Sequence, residues 1–156
     1  MAGEVFQAPS VREISDLLKD KFSSKVNVTR TEERRVYAKV DRDSVHDVCT
    51  YIHDNLTFEH VSSIMGNDMI SHMEVIYHLS NYYTGIIIEL TAELPAGDLR
   101  VKSTADIWDG GNWHERETHE LFGIVFDGHP KLERLLTPDT YEFYPFRKSY
   151  KLRGQE

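Results

Sequence analysis

Two segments of the sequence carry apolar residues at helical spacing. The first starts at a capping box formed by Ser10 and Glu13, which predicts a helix over residues 10–22. The second starts at a candidate N-cap, Asp43 or Ser44. Each stripe predicts a helix with one buried face. The stripes consist of Val11, Ile14, Leu17, Leu18 and Phe22, and of Val45, Val48, Cys49, Ile52 and Leu56.

Five further segments show the apolar pattern of β-strands. Residues 26–28 and 36–40 alternate around a polar connection, which predicts a hairpin. Three runs follow the second helix, at 58–64, 73–79 and 86–94, with turn residues between them. Short connections favour antiparallel neighbours. We therefore predict an α+β fold: a two-layer domain whose mostly antiparallel sheet has helices on one face, plus an extended C-terminal arm.

The next segment, residues 110–123, is mostly polar, unlike the predicted strands before it. A glycine-rich loop at 110–112 precedes a predicted helix over Trp113–Phe122, with Asn112 as candidate N-cap and Gly123 as its stop. Six of the seven residues 114–120 are His, Glu or Arg. A helix this polar lacks an apolar stripe for docking into a core, so we expect it to face solvent or a partner.

The C-terminal end is rich in proline and aromatic residues and shows no helical period. Residues 129–156 contain six Lys or Arg against four Asp or Glu, whereas the whole chain carries a net charge of −8. We predict an α+β domain over residues 1–123, including the polar helix. Residues 124–156 are predicted to form an extended C-terminal docking arm, because aromatic and arginine side chains are common interface anchors.

Composition excludes several functions for this chain of 156 residues. The single cysteine, Cys49, cannot form a disulfide within the chain, and it cannot by itself supply the thiolates of an iron–sulfur cluster. No apolar run approaches the roughly 18 residues of a membrane span. No nucleotide-binding motif is present. We expect a soluble domain in which Cys49 is a small buried hydrophobe.

Two other functions can be read from local motifs. His114-Glu115 begins like a zinc-protease helix, but the next histidine, His119, is five residues on, so the two histidines point about 140° apart. Glu115 and His119 could bind a metal weakly, which leaves a free-standing metal-dependent hydrolase as the alternative. The basic, aromatic segment at 144–153 could contact RNA. The net charge of −8 opposes this, and we expect no nucleic-acid partner.

The polar helix lies in a longer recognisable block. The segment Glu115-Arg-Glu-Thr-His-Glu-Leu-Phe-Gly-Ile-Val-Phe-Asp-Gly-His-Pro130 resembles the E-R-E-x-x-D-L-F-G-I-x-F-x-G-H-P signature of the 30 kDa subunit family, also called the C subunit family, of complex I and its relatives. The segments at 107–113, 132–139, 145–150 and 74–80 resemble neighbouring family motifs. The resemblance covers roughly residues 58–150.

The resemblance implies a peripheral connecting subunit of a proton-translocating oxidoreductase at the cytoplasmic face of the cell membrane, without catalytic residues, metal ligands or a cofactor of its own. Electrons would pass from NADH or reduced coenzyme F420, through iron–sulfur clusters in partner subunits, to a quinone or methanophenazine. The short chain resembles archaeal and cyanobacterial-type members, and we expect an archaeal dehydrogenase of reduced F420 first. The implied partners are the large hydrogenase-like subunit and the iron–sulfur subunits of the same complex, with no direct membrane span.

We expect the residues that match the signature to lie at the subunit interface, with ion pairs to Glu115, Arg116, Glu117 and Glu120 within the chain and across the boundary. The candidate interface residues are Trp113, Glu115, Arg116, Glu117, Glu120, Leu121, Phe122, Gly123, His129, Pro130, Arg134, Arg147, Lys148 and Tyr150.

Overall fold

The computed structural model describes residues 8–152 and residue 154, which form three α-helices and seven β-strands. None of these helices is long and apolar enough to cross a membrane. The elements, in chain order, are α1 (Val11–Phe22), β1 (Val26–Glu32), β2 (Arg35–Val40), a 3-10 turn (Arg42–Ser44), α2 (Val45–Leu56), β3 (His60–Asp68), β4 (His72–Ser80), β5 (Ile87–Pro95), β6 (Arg100–Lys102), α3 (Gly111–Phe122) and β7 (Val125–Asp127).

Five strands form one sheet in the order β1-β2-β5-β4-β3. The pairs β1–β2, β5–β4 and β4–β3 are antiparallel, as their short connections predict. The pair β2–β5 is parallel, because the chain leaves the sheet through α2 and returns to place β5 beside β2. The predicted α+β fold with a mostly antiparallel sheet is confirmed.

One face of this sheet and the apolar stripes of α1 and α2 form the core. Along β4 the buried residues alternate with partly exposed ones, as they do along most of β5. Ile14 and Leu18 of α1 and Ile52 of α2 are fully buried against this face. Cys49 is also buried there, as expected. Each such aliphatic side chain contributes about 1.5–3 kcal/mol when it leaves water.

The start of α1 matches its sequence signal. The Glu13 carboxylate accepts from the Ser10 amide (2.7 Å), and the Ser10 hydroxyl accepts from the Glu13 amide (3.3 Å). The Ser10 hydroxyl also donates to this carboxylate at 2.7 Å, and the two hydrogen bonds from Ser10 lower the pKa of the Glu13 carboxyl. The capping box is therefore confirmed.

Several boundaries differ from the sequence prediction: β1 continues to Glu32, and β3 begins at His60. β3 continues to Asp68, beyond the predicted end at residue 64, because Gly66 lets the strand pass beneath the Phe122 ring. A β-carbon at this glycine would lie 2.5 Å from that ring. α3 begins at Gly111 after an N-cap at Gly110, so the predicted N-cap at Asn112 is wrong.

A second, two-stranded sheet has no counterpart in the sequence prediction. β7 pairs in parallel with β6, and both Phe126 of β7 and the preceding Ile124 are buried. The first residues of the predicted arm at 124–156 thus pack into the core. From residue 128 onward the described residues contain no helix or strand. We call residues 128–152 the C-terminal segment, and its role in docking stays a prediction.

Candidate subunit interface at helix α3

Helix α3 is docked onto the domain through polar side chains. Glu115 and Glu120 are fully buried and Thr118 is 3% exposed, although the sequence favoured a solvent- or partner-facing helix. The Thr118 hydroxyl donates to the Ile64 carbonyl of the edge strand β3 at 2.9 Å. Buried polar groups are tolerated when they are hydrogen-bonded. Polar pairing therefore replaces the apolar stripe that α3 lacks.

The Glu115 carboxylate is held by the loop that follows β6. It accepts from the Ser103 hydroxyl at 2.5 Å, from the Thr104 amide at 2.7 Å and from the Thr104 hydroxyl at 2.9 Å. Burial raises the pKa of the Glu115 carboxyl, although these hydrogen bonds act in the opposite direction. This carboxylate ties the first half of α3 to the body of the domain.

The Glu120 carboxylate is held by the C-terminal segment. One of its oxygens accepts from the Leu135 amide, and both accept from the Leu136 amide, at 3.0 and 2.9 Å. Within residues 8–152 no salt bridge involves Glu120. Its partners are backbone amides, so it fixes the path of the segment rather than neutralising a charge.

Arg116, one turn before Glu120 in α3, binds the same segment. Its guanidinium donates to the Glu133 carbonyl (3.1 Å) and the Arg134 carbonyl (3.2 Å), and it lies 5.0 Å from the centre of the Trp113 ring. Glu117 is partly buried and forms no hydrogen bond or ion pair to a described residue. The predicted ion pairs within the chain are therefore absent among the described residues, because hydroxyl groups, amides and carbonyls are the partners instead.

The end of α3 is clamped by residues near the end of the C-terminal segment. The Arg147 guanidinium donates to the Phe122 carbonyl at 2.6 Å and stacks 4.3 Å from the Tyr144 ring centre. The Phe146 amide donates to the Leu121 carbonyl at 3.1 Å. Carbonyls in the last turn of a helix have no partner within the helix. The segment therefore completes the hydrogen bonding of this helix end.

Gly123 makes this clamp possible. It ends α3 at a φ of 77°, in the left-handed region, as its sequence position predicts. A β-carbon there would overlap the Arg147 guanidinium and lie 2.9 Å from Tyr144. Both conformation and space thus require glycine.

Three further predicted interface residues, His129, Pro130 and Arg134, lie in the C-terminal segment. His129 bonds to the Asn112 carbonyl at 3.1 Å, and desolvation lowers the pKa of its imidazole. The Arg134 guanidinium donates to the Thr137 hydroxyl at 2.9 Å, and Pro130 is exposed. These contacts order the segment close to α3.

The remaining contacts include one that links the segment to the sheet and one within the segment. The Lys148 amide donates to the Asp68 carboxylate at 2.8 Å, which lowers the pKa of that carboxyl. The Tyr141 and Tyr150 hydroxyls are 2.9 Å apart. The sequence did not point to Asp68, Ser103 or Thr104, because these residues meet α3 and the segment only through the fold.

The outer surface of α3 and the segment carries exposed apolar side chains. Five large side chains here have between 58% and 68% of their surface accessible. Because contiguous exposed apolar patches are typical of interaction sites, these side chains are candidates for the predicted subunit interface. They are Trp113, Leu136, Phe143, Phe146 and Leu152.

No metal centre forms on α3 from the described residues. The Glu115 oxygens are occupied by donors, and the His119 ring bonds to the Ile124 carbonyl at 2.7 Å. Among the described residues, the one group of three metal-ligating side chains lies elsewhere, at His72, Glu74 and Glu93. The metal-dependent hydrolase on α3, the alternative from the sequence, therefore has no site in this region.

Comparison with known proteins supports the signature. Residues 38–156 match the model of the family described as respiratory-chain NADH dehydrogenase, 30 Kd subunit. The chain is 35% identical over 143 residues to the C subunit of the F(420)H(2) dehydrogenase of Methanosarcina mazei, covering 89% of this chain and 90% of that protein. It is 34% identical to the C/D subunit of the NADH-quinone oxidoreductase of Acidiphilium cryptum, covering 92% of this chain and 26% of that protein.

A solved structure agrees. The fold superimposes with a TM-score of 0.80 and 26% identity on a chain of the membrane-bound sulfane sulfur reductase, described as an archaeal respiratory membrane complex, covering 91% of this chain and 86% of that one. The chain belongs to the 30 kDa subunit family of respiratory-chain NADH dehydrogenase.

Proposed function

We propose that this chain is a peripheral connecting subunit of a membrane-bound, complex I-like oxidoreductase, and that it holds neighbouring subunits together without an electron-carrying cofactor of its own. The observation that carries this proposal is the arrangement of α3 and the C-terminal segment. Their polar groups are used inside the chain, whereas Trp113, Phe143 and other large apolar side chains are exposed. Such a surface suits a permanent partner.

The large hydrogenase-like subunit is the first partner we propose. In the relative from Acidiphilium cryptum, a segment similar to this chain occupies about a quarter of a single polypeptide whose name joins the C and D subunits. Covalent fusion of two modules is compatible with close association when they are separate chains. The iron–sulfur subunits of the same complex are the further partners that we propose.

The proposed electron path runs through the partners. The chain's single cysteine, Cys49, is buried in the core and burial raises the pKa of its thiol, so it is unsuited to cluster ligation. The similarity to a subunit of an F(420)H(2) dehydrogenase favours reduced F420 over NADH as the donor. A quinone or methanophenazine is the proposed acceptor, with proton translocation by the membrane subunits and this chain at the cytoplasmic face.

Affinity purification from gently solubilised native membranes tests this function. We expect the tagged chain to recover membrane subunits and iron-bearing partners, identified by mass and by iron–sulfur absorbance. Leu136→Asp should reduce this recovery, because Leu136 is 68% exposed on the proposed interface. Leu17→Asp on α1 is the matched control, and recovery should be retained. Recovery of a colourless chain alone, under several mild detergents, would overturn the proposal.

A further inference from the structure

The sheet has a second face, opposite α1 and α2, that carries a compact group of ligand-bearing side chains. His72 and Glu74 alternate with the buried residues of β4, and Glu93 alternates with those of β5. One nitrogen or oxygen atom from each of the three side chains lies within 4.8 Å of the others. None of the three side chains bonds to α3, although His72 lines a cavity together with Arg147 and Lys148 of the C-terminal segment.

The two carboxylates of the group lie side by side on the neighbouring strands β4 and β5. Glu74 is the direct register partner of Glu93 in the antiparallel β4–β5 pair. Like charges directly opposite each other destabilise a strand pair. The pair therefore favours a cation nearby, and Lys39 supplies one only on the Glu93 side.

His72 supplies an independent sign of a missing ligand. Its Nε2 atom is inaccessible to solvent and has no hydrogen-bond partner, and it is one of two such side-chain atoms among the described residues. The Glu74 Oε1 atom lies 3.8 Å away, which is too long for a hydrogen bond. A buried nitrogen without a partner is costly, and metal coordination would satisfy it.

The second atoms of these side chains are already held. His72 Nδ1 is 2.9 Å from the Ser71 hydroxyl, and the Asn67 amide donates to Glu74 Oε2 at 3.0 Å. Metal-binding histidines and carboxylates are usually fixed by outer hydrogen bonds of this kind. They leave His72 Nε2 and Glu74 Oε1 free to share one ligand.

Lys39 is a cation that already pairs with Glu93 and would compete with a metal ion for it. Its ammonium group donates to Glu93 Oε1 at 2.5 Å, which lowers the pKa of that carboxyl. The other oxygen, Oε2, forms no hydrogen bond to a described residue. Lys39 therefore neutralises one of the two carboxylate charges and leaves one oxygen of Glu93 for a metal.

We propose that His72, Glu74 and Glu93 bind one divalent transition-metal ion of the Zn²⁺ class. One imidazole nitrogen and two carboxylate oxygens form a ligand set that zinc accepts, with a fourth position for water. Mg²⁺ and Ca²⁺ favour oxygen ligands and should bind more weakly. The ion would stabilise the pairing of β4 and β5 on the face opposite α1 and α2. This site goes beyond the sequence expectation of no metal ligand.

Titration of the full chain, with the tag removed and after dialysis against chelator, tests the site. We expect one equivalent of Zn²⁺ by calorimetry and a visible absorption band with Co²⁺. His72→Ala and Glu93→Gln should each weaken binding by about tenfold or more. Lys39→Met should tighten it, because a competing positive charge is removed. Circular dichroism confirms that each variant is folded.

His114→Ala is the matched control, because it removes a histidine from α3 instead. Binding should be unchanged in this variant. Absence of saturable Zn²⁺ binding in the unmodified chain would overturn the site. So would binding that survives His72→Ala and Glu93→Gln, or binding that His114→Ala abolishes.

Discussion

Helices α2 and α3 are both 12 residues long and both are packed against the rest of the domain, yet by opposite means. α2 buries an apolar stripe that includes Val48 and Ile52, whereas α3 buries two glutamates and a threonine. Apolar contacts depend on area and shape and are non-directional. The carboxylates of α3 depend on donors at particular places. The comparison shows that a polar helix can be structural when its partners come from distant parts of the chain.

The two helices should also differ in what their loss disrupts. α2 belongs to the core shared by the whole sheet, so its loss should unfold the domain. α3 connects the domain to the C-terminal segment through Glu120 and Arg116. Weakening that connection should release the segment first, because locally bonded regions open at a lower free energy than the core.

The largest effect is expected from the apolar helix. Ile52→Ala should lower the free energy of unfolding by about 2–5 kcal/mol, because it leaves a cavity in a fully packed site. Urea denaturation followed by circular dichroism measures this, and protection from hydrogen exchange should fall across the sheet. A loss confined to residues near α2 would contradict a shared core.

The next effect is expected from the polar helix. Glu120→Ala should cost about 2–3 kcal/mol, because the amides of Leu135 and Leu136 lose their acceptor. Hydrogen exchange should accelerate at these two amides more than in the central strands. Glu117→Ala is the matched control and should change stability by less than about 0.5 kcal/mol. Equal exchange throughout the chain would show that α3 and α2 unfold as one unit.

A smaller effect is expected at the end of α3. Gly123→Ala should cost about 1–2 kcal/mol from its left-handed backbone, and it should also displace Arg147. Gly128→Ala separates the two causes, because Gly128 has a similar φ of 83° but nothing within 4 Å of its would-be β-carbon. Chemical-shift changes at Arg147 and Tyr144 in the first variant alone would confirm the steric part.

The smallest effect concerns pH and involves a histidine that binds the start of α3. Desolvation lowers the pKa of His129 in the folded chain, so the unfolded chain binds a proton more readily. Stability from neutral His129 is present above its unfolded pKa of about 6.5 and is lost as the pH falls below it. We expect His129→Gln to reduce this loss between about pH 7 and pH 5, measured by urea denaturation. An unchanged pH slope would show that His129 protonation does not affect folding.

Much of the fold could be predicted from the sequence. The apolar periods of α1 and α2, the Ser10 capping box and the stop at Gly123 are local signals, and each depends on residues within a few positions of one another. The strand runs were also correctly placed, although β3 ends later than predicted because Gly66 accommodates a ring from α3. The signature around Glu115 indicated the family, and the matching family model confirms it.

Tertiary structure decided what the polar residues do. Glu115 pairs with Ser103 and Thr104, and Glu120 with amides 15 and 16 residues away, so helical period could not distinguish a buried carboxylate from a solvated one. The parallel β2–β5 pair and the short β6–β7 sheet are likewise set by long-range return of the chain. Local sequence determines where elements form, because it fixes backbone preference and apolar period. Only the folded chain determines which polar groups meet, because that depends on contacts between distant segments.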